Sequence, residues 1–103
     1  MEPFEIVYAD EIGIHLAAIE RKHHTLISAT IKQQLTHQPE VATRNRKPLR
    51  QPAAFGAKWE LRFGPDNRFR VLYRVEGSQR VRVLAIGVKY RTRLNIANEE
   101  IDL

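Results

Sequence analysis

The chain has 103 residues, of which 43% are apolar and 28% charged, enough for one hydrophobic core and not the composition of a disordered chain. It holds no cysteine, which excludes a disulfide framework and thiolate metal ligation, and no run approaches the ~20 apolar residues that span a membrane. Lys+Arg number 17 against 12 Asp+Glu, and the excess is concentrated between Arg44 and Arg93, where the acids are Glu60, Asp66 and Glu76 alone. A local cationic surplus of this kind suits a polyanionic partner, and the predominance of arginine suits bidentate phosphate contact. The opening residues lack the basic start and apolar run of a signal peptide, so a single cytoplasmic domain over residues 1–103 is expected.

Residues 4–8 alternate and are β-prone, predicting a first strand. Asp10 offers an N-cap and Glu11 a first-turn negative charge for a helix carrying Ile12, Leu16 and Ile19. Gly13 weakens that helix by up to about 1 kcal/mol relative to alanine. After a polar interruption at residues 20–24, Ile27, Ile31 and Leu35 recur at helical spacing, and Pro39 ends the pattern. The reading is an αα hairpin bent near Lys22–His24, with one long helix over 10–36 as the alternative. Residues 38–57 hold Pro39, Pro48, Pro52 and Gly56 and are expected to be mostly loop. Within them Arg44, Arg46, Lys47 and Arg50 form a basic run around Leu49, which either reaches nucleic acid or is simply solvated.

Residues 58–63, 68–75 and 80–88 are rich in β-branched, aromatic and arginine residues and are separated by Gly-Pro-Asp-Asn and Glu-Gly-Ser-Gln turns. They predict a three-stranded antiparallel meander. Residues opposite each other share a face, and a one-residue slip inverts a whole strand. Pairing Phe63 with Phe69 sets Leu61 against Val71 and Trp59 against Tyr73, so the large apolar groups share one face. Arg62 then faces Arg70, and Glu60 faces Leu72 within diagonal reach of Arg70 and Arg74. For the second hairpin, Val75 opposite Arg80 sets Val71 on Leu84, Phe69 on Ile86, Arg70 beside Ala85 and Arg68 near Gly87. Opposed like charges are destabilising, so Arg62 and Arg70 are expected to hold an anion over a floor of small residues, with a solvated outer face as the alternative. In the tail, Leu94, Ile96, Ile101 and Leu103 alternate, predicting an extra strand or a docked tail.

The order β-α-α-β-β-β, the residues "RKPL", "WELRF", "FRVLYRV" and "VRVLAIGVK", and a short basic-then-acidic tail resemble the RelE/ParE superfamily of bacterial toxins. The resemblance implies an α+β fold, an N-terminal strand and helical hairpin packed on an antiparallel meander. It implies neutralisation by a cognate antitoxin and action on mRNA in the ribosomal A site, without a metal or other cofactor. The gyrase-binding ParE branch and an inactive RNA-binding relative are the alternatives.

In the RelE-type reaction a ribose 2′-OH attacks the adjacent phosphorus and expels the 5′ oxygen. The reaction needs a base, an acid and cations at the phosphoryl oxygens. By the resemblance, Arg70 matches the family's arginine, Lys58 and Glu60 stand at its lysine positions, and Lys89 matches its basic residue after the last strand. Arg62 is the cross-strand neighbour of Arg70. Glu60 departs from the family pattern, as a base or as a counter-ion. The family's C-terminal tyrosine or histidine has no counterpart at residues 94–96, which leaves Tyr90 as the nearest candidate. Arg44, Arg46, Lys47, Arg50, Arg68, Arg74, Arg91 and Arg93 are the expected RNA contacts. His15, His23, His24 and His37 lie in the helical half and are expected to be solvated rather than catalytic or metal-binding.

Overall fold

The computed structural model describes residues 2–103. In chain order the elements are β1 (Glu5–Tyr8), α1 (Ile12–Ala17), α2 (His24–Leu35), β2 (Arg46–Pro48), β3 (Trp59–Phe63), β4 (Phe69–Glu76), β5 (Arg80–Tyr90), β6 (Arg93–Ile96) and β7 (Glu99–Ile101). The helical segment is the expected hairpin: a 3-10 turn at Arg21–His23 separates α1 from α2. Helix α1 starts one residue later than Asp10 would cap it. Glu11 occupies the cap position without a side-chain cap bond. No helix among the described residues is long and apolar enough to cross a membrane.

The expected meander is the centre of a seven-stranded sheet with the order β2-β3-β4-β5-β6-β7. The register of β3 on β4 is the expected one, with Trp59 opposite Tyr73, Leu61 opposite Val71, Arg62 opposite Arg70 and Phe63 opposite Phe69. β1 joins the free edge of β5 in parallel, Glu5 to Tyr8 along Arg80 to Val83. β6 pairs farther along the same edge, at Val88–Tyr90.

The β4–β5 register corrects the expectation. Val75 meets Val81 and Tyr73 meets Val83, then a bulge between Leu72 and Tyr73 shifts the pairing, so that Val71 meets Ile86, Phe69 meets Val88 and Arg70 meets Gly87. The expected register left Val75 facing Arg80. The observed one matches apolar with apolar, and the bulge re-aims the second half of β5 so that Val81, Val83, Ile86 and Val88 all join the main core. That core lies between the sheet and the two helices, where Ile12, Ile19, Ile27, Ile31 and Leu35 pack on Leu61, Phe63, Phe69, Val71 and Tyr73. Burial of side chains of this size contributes about 1.5–3 kcal/mol each.

The opposite face is not an open floor. Ala57, Leu72, Leu84, Ala85, Leu94 and Ile96 form a second, smaller core, with Leu49 and Ile101 packed against it. Leu49 therefore anchors the basic loop, as its position suggested. Two segments take on strand structure, one expected to be mostly loop and the other an extra strand or a docked tail. The run 46–48 is strand β2 on the edge of β3, and the tail is a β6–β7 hairpin. Its two-residue turn, Ala97-Asn98, has φ of 52° and 65°, the left-handed pair that matches strand twist in a hairpin. Gly87 allows the hairpin to lie close: a Cβ there would sit 2.5 Å from the Asn95 carbonyl oxygen.

A basic cleft as the candidate active site

The opposed arginines do hold an anion, and it is internal. Arg62 Nε donates to Glu60 Oε1 at 2.8 Å and Arg70 Nη1 donates to Glu60 Oε2 at 3.2 Å. Glu60 is 1% exposed and Arg70 6% exposed. Both carboxylate oxygens are occupied, which is the counter-ion arrangement, one of the two expectations for Glu60. Arg70 is held from a second side, because its Nε donates to the Asn67 carbonyl at 2.8 Å.

The same device recurs at the other end of the sheet. Arg74 faces Arg82 across β4–β5, and both donate to Glu76, at 2.8 and 2.9 Å. Hydrogen bonds from Arg74 and then Arg82 hold the Glu76 carboxyl below its ordinary range. Arg74 is thus paired with a protein carboxylate, as is Arg93, whose Nη1 lies 3.5 Å from Glu100.

A cationic depression open to solvent lies where β4 begins and β5 ends. Asp66, Arg68, Arg70, Lys89, Tyr90 and Arg91 line one depression of about 410 Å³. The 3-10 turn Pro65–Asn67 supplies Asp66, Arg68 follows it directly, Arg70 lies at the start of β4, the end of β5 supplies Lys89 and Tyr90, and Arg91 comes just after it. The backbone joins the two sides, Lys89 N–H donating to the Arg68 carbonyl at 2.7 Å. Arg91 is presented from a tight turn at φ 58°. Arg68 lies over the Phe69 ring, 5.3 Å from its centroid, and its buried Nε has no hydrogen-bond partner. The depression thus sets four cations against one acid, beside a tyrosine that is 60% exposed, side-chain chemistry of the kind that suits a phosphate with an attached sugar or base.

The structure therefore brings together Arg70, Lys89, Tyr90, Arg68 and Arg91. Arg62 and Glu60 support the cleft through Arg70 without lining it. Lys58 stands apart, its Nζ donating to Gln51 Oε1 at 3.1 Å. Lys47 faces Glu60 across the β2–β3 pair, and Arg44, Lys47 and Arg50 are exposed. Arg46 is a correction: it is buried and donates to the carbonyls of Val41 and Gln34 and to Gln34 Oε1, at 2.8–2.9 Å. It ties β2 to the end of α2 and is not placed to touch RNA.

His37 is exposed as expected, whereas His15, His23 and His24 are less solvated than expected. His15 is 5% exposed and its Nδ1 accepts the Ile86 N–H at 3.2 Å. Ile86 lies in the stretch of β5 between the β1 and β6 pairings, so a side chain replaces the missing strand. Burial pushes the His15 pKa down. His23 packs on Phe69 and His24 Nε2 hydrogen-bonds the Ile19 carbonyl.

Comparison with known proteins bears on the fold. No protein-family model and no curated protein matches the chain. Among solved structures, a chain of the toxin–antitoxin complex RelBE2 from Mycobacterium tuberculosis aligns with a TM-score of 0.63 at 19% identity, covering 84% of this chain and 99% of that one. The fold is thus RelE-like α+β, the one the sequence resemblance implies.

Proposed function

We propose that this chain is the toxin of a toxin–antitoxin pair and that it cuts mRNA at the basic cleft, in the ribosomal A site. The observation that carries the proposal is the convergence of Arg68, Arg70, Lys89 and Arg91 with the exposed Tyr90 in one depression, on a fold shared with a chain of a toxin–antitoxin complex. Arg70 and Lys89 stabilise the charge that develops on the phosphoryl oxygens as the 2′-oxygen attacks phosphorus. Arg70 suits this task because Glu60 and the Asn67 carbonyl fix its guanidinium before substrate arrives. Glu60 is a positioning residue in this scheme. Arg68 and Arg91 hold flanking phosphate, and the Tyr90 hydroxyl gives a proton to the departing 5′ oxygen. The partners are the cognate antitoxin and ribosome-bound mRNA, and the reaction draws on no metal.

Induction of the chain in bacteria without its antitoxin tests the proposal: it should arrest growth, and Arg70→Ala should relieve the arrest while remaining folded. Loss of one such charge stabiliser typically costs about 10²–10³-fold in rate. Arrest that persists with Arg70→Ala would refute the role of the cleft. One observation favours a second reading, a ParE-like toxin that binds gyrase: Arg62, Arg74 and Arg82 already have carboxylate partners, which leaves a smaller polyanion footprint than the sequence suggested. DNA damage with intact mRNA would mark that outcome.

A further inference from the structure

Cleavage at the cleft requires a group that takes the 2′-hydroxyl proton, and Glu60 is closed off by its two arginines. A different carboxylate stands in the cleft. Asp66 is exposed and lines the depression with the four cations and Tyr90. None of the ion pairs among the described residues uses it.

The turn that presents Asp66 also holds the catalytic arginine. Asp66 and Asn67 have φ of 55° and 51°. The Asn67 N–H donates to the Gly64 carbonyl at 3.0 Å, and the Asn67 carbonyl accepts Arg70 Nε at 2.8 Å. Asp66 and Arg70 are therefore set by one short segment, on which a residue in the left-handed region costs roughly 1–2 kcal/mol unless it is glycine, asparagine or aspartate. The backbone would be served equally by asparagine or glycine at this position, so the turn does not require a carboxylate. Its charge also opposes phosphate binding. An exposed carboxylate that lines the cleft beside its cations is placed for a role in proton transfer.

We propose that Asp66 is the general base of the cleft. The inference rests on the cleavage reading above. The Asp66 carboxylate takes the proton from the ribose 2′-hydroxyl and the 2′-oxygen forms its bond to phosphorus. The bond from phosphorus to the 5′ oxygen breaks, and that oxygen takes the proton of the Tyr90 hydroxyl. The products are a 2′,3′-cyclic phosphate and a 5′-hydroxyl. Water returns the proton to Tyr90 and removes the one on Asp66.

The test is single-turnover cleavage of a reporter mRNA on programmed ribosomes by wild type, Asp66→Asn, Asp66→Gly and Arg70→Ala. Asparagine and glycine both accept the left-handed backbone. Both Asp66 variants should cleave about 10²–10⁴-fold more slowly. They should bind an mRNA with a 2′-deoxy sugar at the cut site at least as tightly as wild type, since a negative charge is removed. Wild-type rates in both variants, with Arg70→Ala inactive, would overturn the assignment and leave the cleavage reading standing. Absence of Arg70-dependent cleavage by wild type would overturn both.

Discussion

Replacement of Glu60 by alanine removes the one carboxylate between two directly opposed arginines. Glu60 is buried, its hydrogen bonds to Arg62 and Arg70 measure 2.8 and 3.2 Å, and the Arg70 side chain is itself 8% exposed. Loss of one partner from a buried ion pair typically costs about 3–5 kcal/mol, because the remaining charge stays buried without compensation. Domains of this size have roughly 5–15 kcal/mol in total. At about 4 °C or more per kcal/mol, the melting temperature of Glu60→Ala should fall by at least about 12 °C. Arg62 is about one-third exposed on its side chain, so Arg62→Ala should cost much less, of the order of a surface pair at ~1 kcal/mol. Thermal melting in chloride and in phosphate buffer checks the cause. Phosphate should recover part of the loss in Glu60→Ala, by occupying the vacated place between the guanidinium groups, and should do less for wild type. A Glu60→Ala protein that melts near the wild-type temperature, or that responds alike to both anions, would refute the coupling.

Two further predictions concern the scaffold. The buried His15 keeps its folded pKa below the ordinary value, so its contribution to stability is present above about pH 6.5 and is lost as pH falls through the lower folded value. His15→Leu should lose about 1–3 kcal/mol by orphaning the Ile86 N–H and should flatten that acid dependence in urea titrations at several pH values; an unaltered pH profile would contradict it. Gly87→Ala should destabilise the chain by about 1–3 kcal/mol by forcing a Cβ against the Asn95 carbonyl, with loss of amide-exchange protection first in β6 and β7; uniform protection would show that the hairpin is not pressed on that glycine.

Particular elements show how far the sequence could be read. The β3–β4 register was legible because closing the 64–68 turn with Phe63 opposite Phe69 sets Leu61 on Val71 and Trp59 on Tyr73, with every large apolar group on one face. The β4–β5 register was not, since the strands already pair one residue off the expected alignment at the turn, Glu76 with Arg80, and the bulge at Leu72–Tyr73 adds a second shift. β2 is three residues long, polar and ends in proline, so it carries no alternation signal. The β6–β7 turn uses Ala97 where a glycine would have announced a hairpin. Arginine side chains carry the same formal charge whether they bind RNA, as proposed for Arg68, or bridge elements like the buried Arg46. That difference depends on partners remote in sequence. Asp66 read as an ordinary turn residue because its neighbours in the cleft lie at positions 68–70 and 89–91. The counter-ion role of Glu60 was partly visible, from its diagonal reach to Arg70.

The cleavage claim is tested most directly by mapping mRNA 5′ ends by primer extension after brief induction of wild type and of Arg70→Ala. New ends spaced by codons, within translated frames, present for wild type and absent for Arg70→Ala, are the expected result. Growth arrest by wild type with no new ends in any message would contradict the assignment of the basic cleft to RNA cleavage.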